Sequence, residues 1–148
     1  MSRWAGAGFT LLELLITLAV ITVLGMIAVT SYSSFIVRGY RAEAKVVMSE
    51  IAQKEERYFS AYHKYLHGDD AVKQFRGDTA ADILSEHGMY KIDVKPNGTG
   101  YLIEATPVAG EPAAARDKDC RVFTLDHTGK ESANDGAGRD TTDICWGR

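Results

Sequence analysis

Few residues in this chain are of types and at spacings that could do chemistry. Glu13 is the one charge in the apolar run from Phe9 to Val29. A carboxylate in hydrocarbon costs about 2.5–3.5 kcal/mol even on lenient insertion scales, so it asks for a proton, a polar group or an amine. A cut just before Phe9 would place a new amino group one helical turn from Glu13, on its own subunit or a neighbour. Alternatively, Glu13 lies near the interface and reaches headgroup water. Cys120 and Cys145 are the only cysteines and could bond to each other or stay as buried thiols. His63 and His67 have the i,i+4 spacing of metal ligands but no evident third ligand, and frayed helix-end histidines account for them. Asp135, Asp140 and Asp143 could offer oxygens to calcium, but their spacing fits no EF-hand and a solvated acidic loop is favoured. Thr128-Gly129-Lys130-Glu131-Ser132 is a poor phosphate loop, with Thr124 at the upstream glycine position and Glu131 where Ser or Thr is needed. Hydrolase, zinc-protease and dinucleotide fingerprints are missing from the sequence. The expectation is a chain that is not an enzyme and uses no cofactor or metal.

The element that must position Glu13 is FTLLELLITLAVITVLGMIAV, residues 9–29. As a helix it would be about 31 Å long, close to the hydrocarbon thickness of a bilayer. It is too long for a signal-peptide core, and Ser31-Tyr32-Ser33-Ser34-Phe35 offers no small-residue cleavage site. A membrane anchor fits better, although the leader MSRWAGAG then lacks a purpose. Charge divides at about the middle of the chain. Residues 1–66 carry a net +2, and residues 67–148 carry a net −5 with ten of the fourteen glycines and all three prolines. Two physically different parts are expected. The mildly acidic total lacks the basic footprint of general nucleic-acid binding, and persistent apolar and aromatic residues exclude long disorder.

Gly8-Phe9-Thr10-Leu11-Leu12-Glu13 followed by an apolar run resembles the class III signal of type IV pilins and pseudopilins. The resemblance implies cleavage between Gly8 and Phe9 by prepilin peptidase on the cytoplasmic side, then N-methylation of Phe9. It also gives Glu13 the role of meeting a neighbour's amino terminus to fix subunit register. The leader departs from the pattern in having Arg3 as its sole side-chain cation. Arg38, Arg41 and Lys45 follow the run, so the positive-inside rule does not fix orientation. Thr22 and Thr30 stand where many pilins have helix-bending prolines, and Gly25 is the one weak helix former between them.

Past Val29 nothing stops the helix until His67-Gly68-Asp69-Asp70. Ile36, Tyr40, Ala44, Val47, Ile51, Glu55, Tyr58, Tyr62 and Tyr65 recur at steps of three and four, an apolar stripe apart from Glu55. Charged residues lie between them, with Glu50 and Lys54 a favourable i,i+4 pair. Arg41 to Lys45 with Gln53 to Phe59 also resembles PilE-type minor pilins. Residues 67–88 read as polar and irregular, with Asp78 or Thr79 capping a short helix through Ile83, Leu84 and Ser85 that Gly88 ends. Residues 89–95 and 101–107 alternate as strands around Pro96-Asn97-Gly98-Thr99-Gly100, a hairpin with a longer loop. Asn97-Gly98-Thr99 also spells a glycosylation sequon, which the turn explains without a glycan. A third strand is expected from about Cys120 to Asp126, with a short return at Glu131-Ser132-Ala133.

An α+β fold follows, with one long helix on a small antiparallel sheet. Export would place Cys120 and Cys145 in an oxidising compartment, where a disulfide is the default. It would close a polar loop for about 3.5 kcal/mol on the chain-entropy model. A C-terminal loop bounded by two cysteines also resembles the disulfide-bonded region of type IV pilins. The expected organisation is a leader (1–8), a membrane and filament-core helix (9–29), its amphipathic continuation (30–66) and a head (67–148). The resemblance implies a structural pilus subunit, more a minor pilin than the bulk one. Its implied partners are other pilins, prepilin peptidase, the inner-membrane assembly machinery and, before assembly, lipid. It would sit in the inner membrane with its head in the periplasm, then in the extracellular pilus. A type II secretion pseudopilin and a non-polymerising anchored binding protein are the alternatives.

Overall fold

Between Leu11 and Tyr62 there is no proline, and glycine occurs only at 25 and 39. The chain forms one helix of 52 residues there, α1 (Leu11–Tyr62). The computed structural model describes residues 9–77 and 81–147, without the side chains of 27–31. It divides into two compact units, Met1–Ile36 and Val37–Arg148.

In the first unit every described side chain from Phe9 to Met26 is exposed. The threonines of this segment turn inward on their own helix. Thr17 Oγ1 donates to the Leu14 carbonyl at 2.9 Å, and Thr22 Oγ1 to Ala19 and Leu18 at 2.8 and 3.0 Å. Their hydroxyls are therefore satisfied without water, which lets them sit in an apolar surface. Among the described residues no helix is long and apolar enough to cross a membrane. The described side chains of α1 in this segment stop at Met26, whereas the apolar sequence runs on to Val29.

In the second unit, antiparallel strands follow one another as a meander. These are β1 (Ile83–Leu84), β2 (Tyr90–Asn97), β3 (Gly100–Pro107), β4 (Val122–Asp126) and β5 (Glu131–Asn134), in the spatial order β1-β2-β3-β4-β5. Alternation works as expected. Tyr90, Ile92 and Val94 of β2 and Tyr101, Ile103 and Ala105 of β3 point into the core. Ala44, Val47, Met48 and Ile51 of α1 pack into the same core, with Phe123 of β4 and Ala133 of β5. The expected α+β architecture holds.

Several local expectations need correction. The β2–β3 connection is shorter than expected. Asn97 pairs with Gly100, leaving a two-residue turn at Gly98-Thr99 with Gly98 at φ 60°, the first central position where a tight primed turn needs glycine. Helix α1 ends at Tyr62, because His63 adopts a left-handed φ of 54° and the following chain turns back. The short helix expected through Ile83 and Leu84 is a strand instead. Ile83 pairs with Ile92 and is fully buried, so the sheet core outweighs local propensity. The proposed caps Asp78 and Thr79 lie outside the described residues. A helix does form earlier, α2 (Gly68–Arg76), with Asp69 and Asp70 in its first turn and Lys73 and Arg76 in its last. It buries Ala71 and packs Val72 and Phe75 on the core. Two further short helices, α3 (Pro112–Arg116) and α4 (Thr142–Trp146), went unanticipated.

Candidate functional site

At the N terminus, Thr10 precedes the first turn of α1 and its Oγ1 accepts the Glu13 backbone N–H at 3.2 Å. Thr10-x-x-Glu13 is thus half of a capping box, with Glu13 three residues into the helix at its positive end. Phe9 lies outside the helix, 76 % exposed, and the Glu13 side chain is exposed. Gly8 lies outside the described residues. The sequence reading gave Glu13 an assembly role but overlooked the cap, although the threonine-to-glutamate spacing carries that signal.

The head is fastened to α1 by a buried ionic cluster. Arg41 Nε and Nη2 donate to the two oxygens of Asp117 at 2.7 and 2.8 Å. Asp117, at the end of α3, also accepts the Tyr90 hydroxyl at 3.0 Å and the Cys120 backbone N–H at 3.1 Å. The carboxylate beside Arg41 holds the guanidinium pKa above its usual value, and burial with the neighbouring Asp117 raises that of Tyr90. Cys120 is bonded to Cys145 on α4, with Cα atoms 5.7 Å apart. Lys45 of α1 reaches the Cys145 and Trp146 carbonyls, both at 3.4 Å, and so caps the end of α4. The segment between the cysteines is better ordered than its polarity suggests. Asp135 accepts the Ala137 and Arg139 N–H groups, and Asp140 accepts that of Thr142.

Those carboxylates are occupied in closing turns. Among the described residues no cluster of three or more His, Cys, Asp or Glu side chains is arranged to hold a metal. His63 ends α1 and meets Phe59 edge-on, while His67 precedes α2. The Thr128 and Lys130 N–H groups point at the Asp126 carboxylate, at 2.8 and 3.0 Å, as a turn does and not as a phosphate loop would.

Glu55 occupies the stripe position that polarity alone would have kept outside. It is fully buried, and its Oε2 accepts the Leu66 N–H at 3.0 Å, tying the α1–α2 connection to the helix. Among the described residues its Oε1 has no partner, and burial pushes the carboxyl pKa up to about 7. Glu56, one residue on, takes the Tyr101 hydroxyl at 3.1 Å and the Tyr65 hydroxyl at 3.3 Å. On the face between them and α2, Lys54, Arg57, Tyr58 and Tyr62 line a groove of about 320 Å³ closed by Gln74 and Phe75. Lys64 and Lys73 flank the adjoining hollow with Asp70.

A family model described as "Type IV minor pilin ComP, DNA uptake sequence receptor" matches residues 30–124. The chain belongs to this family. No curated protein matches it. The matched stretch covers the head-bearing part of α1 and every element through β3, ends within β4, and stops short of β5, α4 and Cys145. It does not overlap Gly8 to Glu13, so two separate lengths of the pilin carry the type IV resemblance independently. The family is a structural one, and a long helix on an antiparallel sheet with a C-terminal disulfide is the fold expected of it. As a minor pilin this chain is a structural component of a pilus and interacts with other pilus components.

Proposed function

We propose that this minor pilin enters the inner membrane through Phe9 to Val29 as a prepilin, with its head in the periplasm. Prepilin peptidase cuts between Gly8 and Phe9, Phe9 is N-methylated, and the assembly machinery transfers the subunit into a filament. The observation that carries this reading is the unbroken exposed surface from Phe9 to Met26, rich in Leu, Ile and Val. Such a surface needs cover, first from lipid and then from the equivalent helices of other pilins. Glu13, costly in either setting when alone, then meets a neighbour's new amino group and fixes register. In this role the subunit supports pilus biogenesis and, through the pilus, adhesion and twitching motility. Mass measurement of the N terminus tests the reading: the mature chain should begin at a methylated Phe9. A chain found intact from Met1 in isolated pili would overturn it.

The matched family is described as a DNA uptake sequence receptor, and we infer that the head of this pilin also contacts DNA. The head's net charge of −5 argued against general nucleic-acid binding. A receptor needs only a local cationic face, and the α1–α2 groove supplies one candidate. Binding of labelled duplex DNA to the full-length pilin in neutral detergent micelles tests this. No binding at low salt would remove the DNA reading and leave the pilus reading standing.

A further inference from the structure

We propose that Tyr32 and Phe35 form an aromatic collar at the periplasmic headgroup level, a proposal that rests on the membrane reading above. The collar fixes the depth of α1 before assembly, and so the level at which the Gly8–Phe9 bond meets its peptidase. Aromatic side chains are missing from the stretch between. Residues 10–31 contain no Phe, Tyr or Trp, and rings flank that stretch, Phe9 before it and Tyr32 and Phe35 after it. Helix α1 rises about 31 Å from Leu11 to Tyr32, against a hydrocarbon layer of about 30 Å. Rings at both ends of such a length, with none between, match the aromatic belts of membrane-spanning helices.

The collar rings are uncovered. Tyr32 is 66 % exposed and Phe35 68 %, and the Tyr32 hydroxyl makes no hydrogen bond among the described residues. Such a ring suits the boundary, with its body against acyl chains and its hydroxyl among water and phosphates. Tyr32 and Phe35 are three residues apart, and therefore neighbours on one helix face. Side chains on a helix lean towards its N terminus, so both rings lean back towards the bilayer. Within the apolar run little else resists sliding along the membrane normal. Thr17 and Thr22 turn their hydroxyls onto their own helix. Glu13 near one end and the collar at the other are what mark the depth.

The test reconstitutes the full-length precursor in vesicles of phosphatidylcholine and phosphatidylglycerol whose acyl chains carry bromine at shallow or deep carbons. Cys120 and Cys145 are bonded to each other, so Val20→Cys offers one free thiol for a bimane label at the middle of the apolar run. In the parent, deep bromines should quench the label most. Tyr32→Ser with Phe35→Ser should free the helix to slide, spreading the quenching over shallow and deep positions. Rebuilding the collar earlier in that variant, as Ala28→Tyr with Ser31→Phe, should draw the label about 6 Å towards the periplasmic face, the rise of four residues. Purified prepilin peptidase should then cut Gly8–Phe9 about tenfold more slowly, because the bond is pulled from its place. Tyr32→Trp should match the parent in both readings. An unchanged urea midpoint of the head checks the fold of each variant.

Parent-like depth and cleavage in both collar variants, with the parent inserted, would overturn the collar and leave the membrane reading intact. Loss of pilus incorporation at unchanged depth would also overturn it, since the rings would then serve subunit packing. A parent label quenched by aqueous iodide and not by bromine would remove the membrane reading, and the collar with it.

Discussion

Arg41 and Asp117, 76 residues apart in sequence, form a two-pronged ion pair with N···O distances of 2.7 and 2.8 Å. The Asp117 side chain is inaccessible and that of Arg41 nearly so, at 0 % and 14 %. Such a pair is costly to break from one side, because the remaining charge is left buried. Arg41→Ala should therefore destabilise the head by about 3–5 kcal/mol, read by urea unfolding. Arg41→Lys should recover only part of this, since an ammonium cannot present the planar fork. If Arg41→Ala unfolds at the parent midpoint, the pair does not hold the head on α1.

Glu55 makes head stability depend on pH. Its carboxyl titrates at about 7 in the fold against an ordinary 4.5, so the folded head binds the proton more tightly than the unfolded chain does. The contribution is fully present below about pH 4.5 and is lost as pH rises through about 7. Its size is at most about 3 kcal/mol. Glu55→Gln keeps an acceptor for the Leu66 N–H and cannot ionise. Relative to parent, that variant should gain stability from pH 5 to pH 8. An unchanged difference across this range would show that Glu55 ionises normally.

Breaking the disulfide should loosen one end of the head rather than all of it. Cys145→Ser should cost roughly 3.5 kcal/mol on the chain-entropy model. Hydrogen exchange should rise first in β5 and α4, which the bond ties to the start of β4. Uniform acceleration through β2 and β3 would argue that the bond supports the whole sheet.

At the other end of the chain, Glu13→Ala should leave membrane insertion intact but exclude the subunit from pili, judged by fractionation. Thr10→Ala separates the cap from the charge. It removes the hydroxyl that holds the Glu13 N–H and should cost about 1 kcal/mol of local helix stability, with incorporation preserved. Gly8→Asp should leave the leader uncut. Equal loss of assembly in the Thr10 and Glu13 variants would mean that helix capping, not the carboxylate, is what assembly needs.

What could be read from the sequence was what repeats locally. The alternation of Tyr90, Ile92 and Val94 defined β2, and the three-and-four stripe from Tyr40 to Tyr58 defined the buried face of α1. The two-residue strand Ile83–Leu84 has no period to read, and its place is decided by pairing with β2. Helix α2 was marked by acidic and basic ends around Ala71, Val72 and Phe75, but nine residues are too few to stand out from a polar stretch. The run from Gly8 to Glu13 could be proposed as a processing and assembly motif from sequence alone because it is contiguous. The α1–α2 groove could not, since Arg57 and Tyr62 meet Gln74 and Phe75 only once His63 turns the chain back.

The contacts of Asp117 also bear on time. Asp117 fixes the Cys120 backbone N–H at 3.1 Å while Arg41 holds the same carboxylate. Neither contact requires a sulfur–sulfur bond. A still reduced head can thus present Cys120 in its final place. An oxidant then has one moving partner to wait for, the last helix bringing in Cys145, and not two cysteines searching for each other.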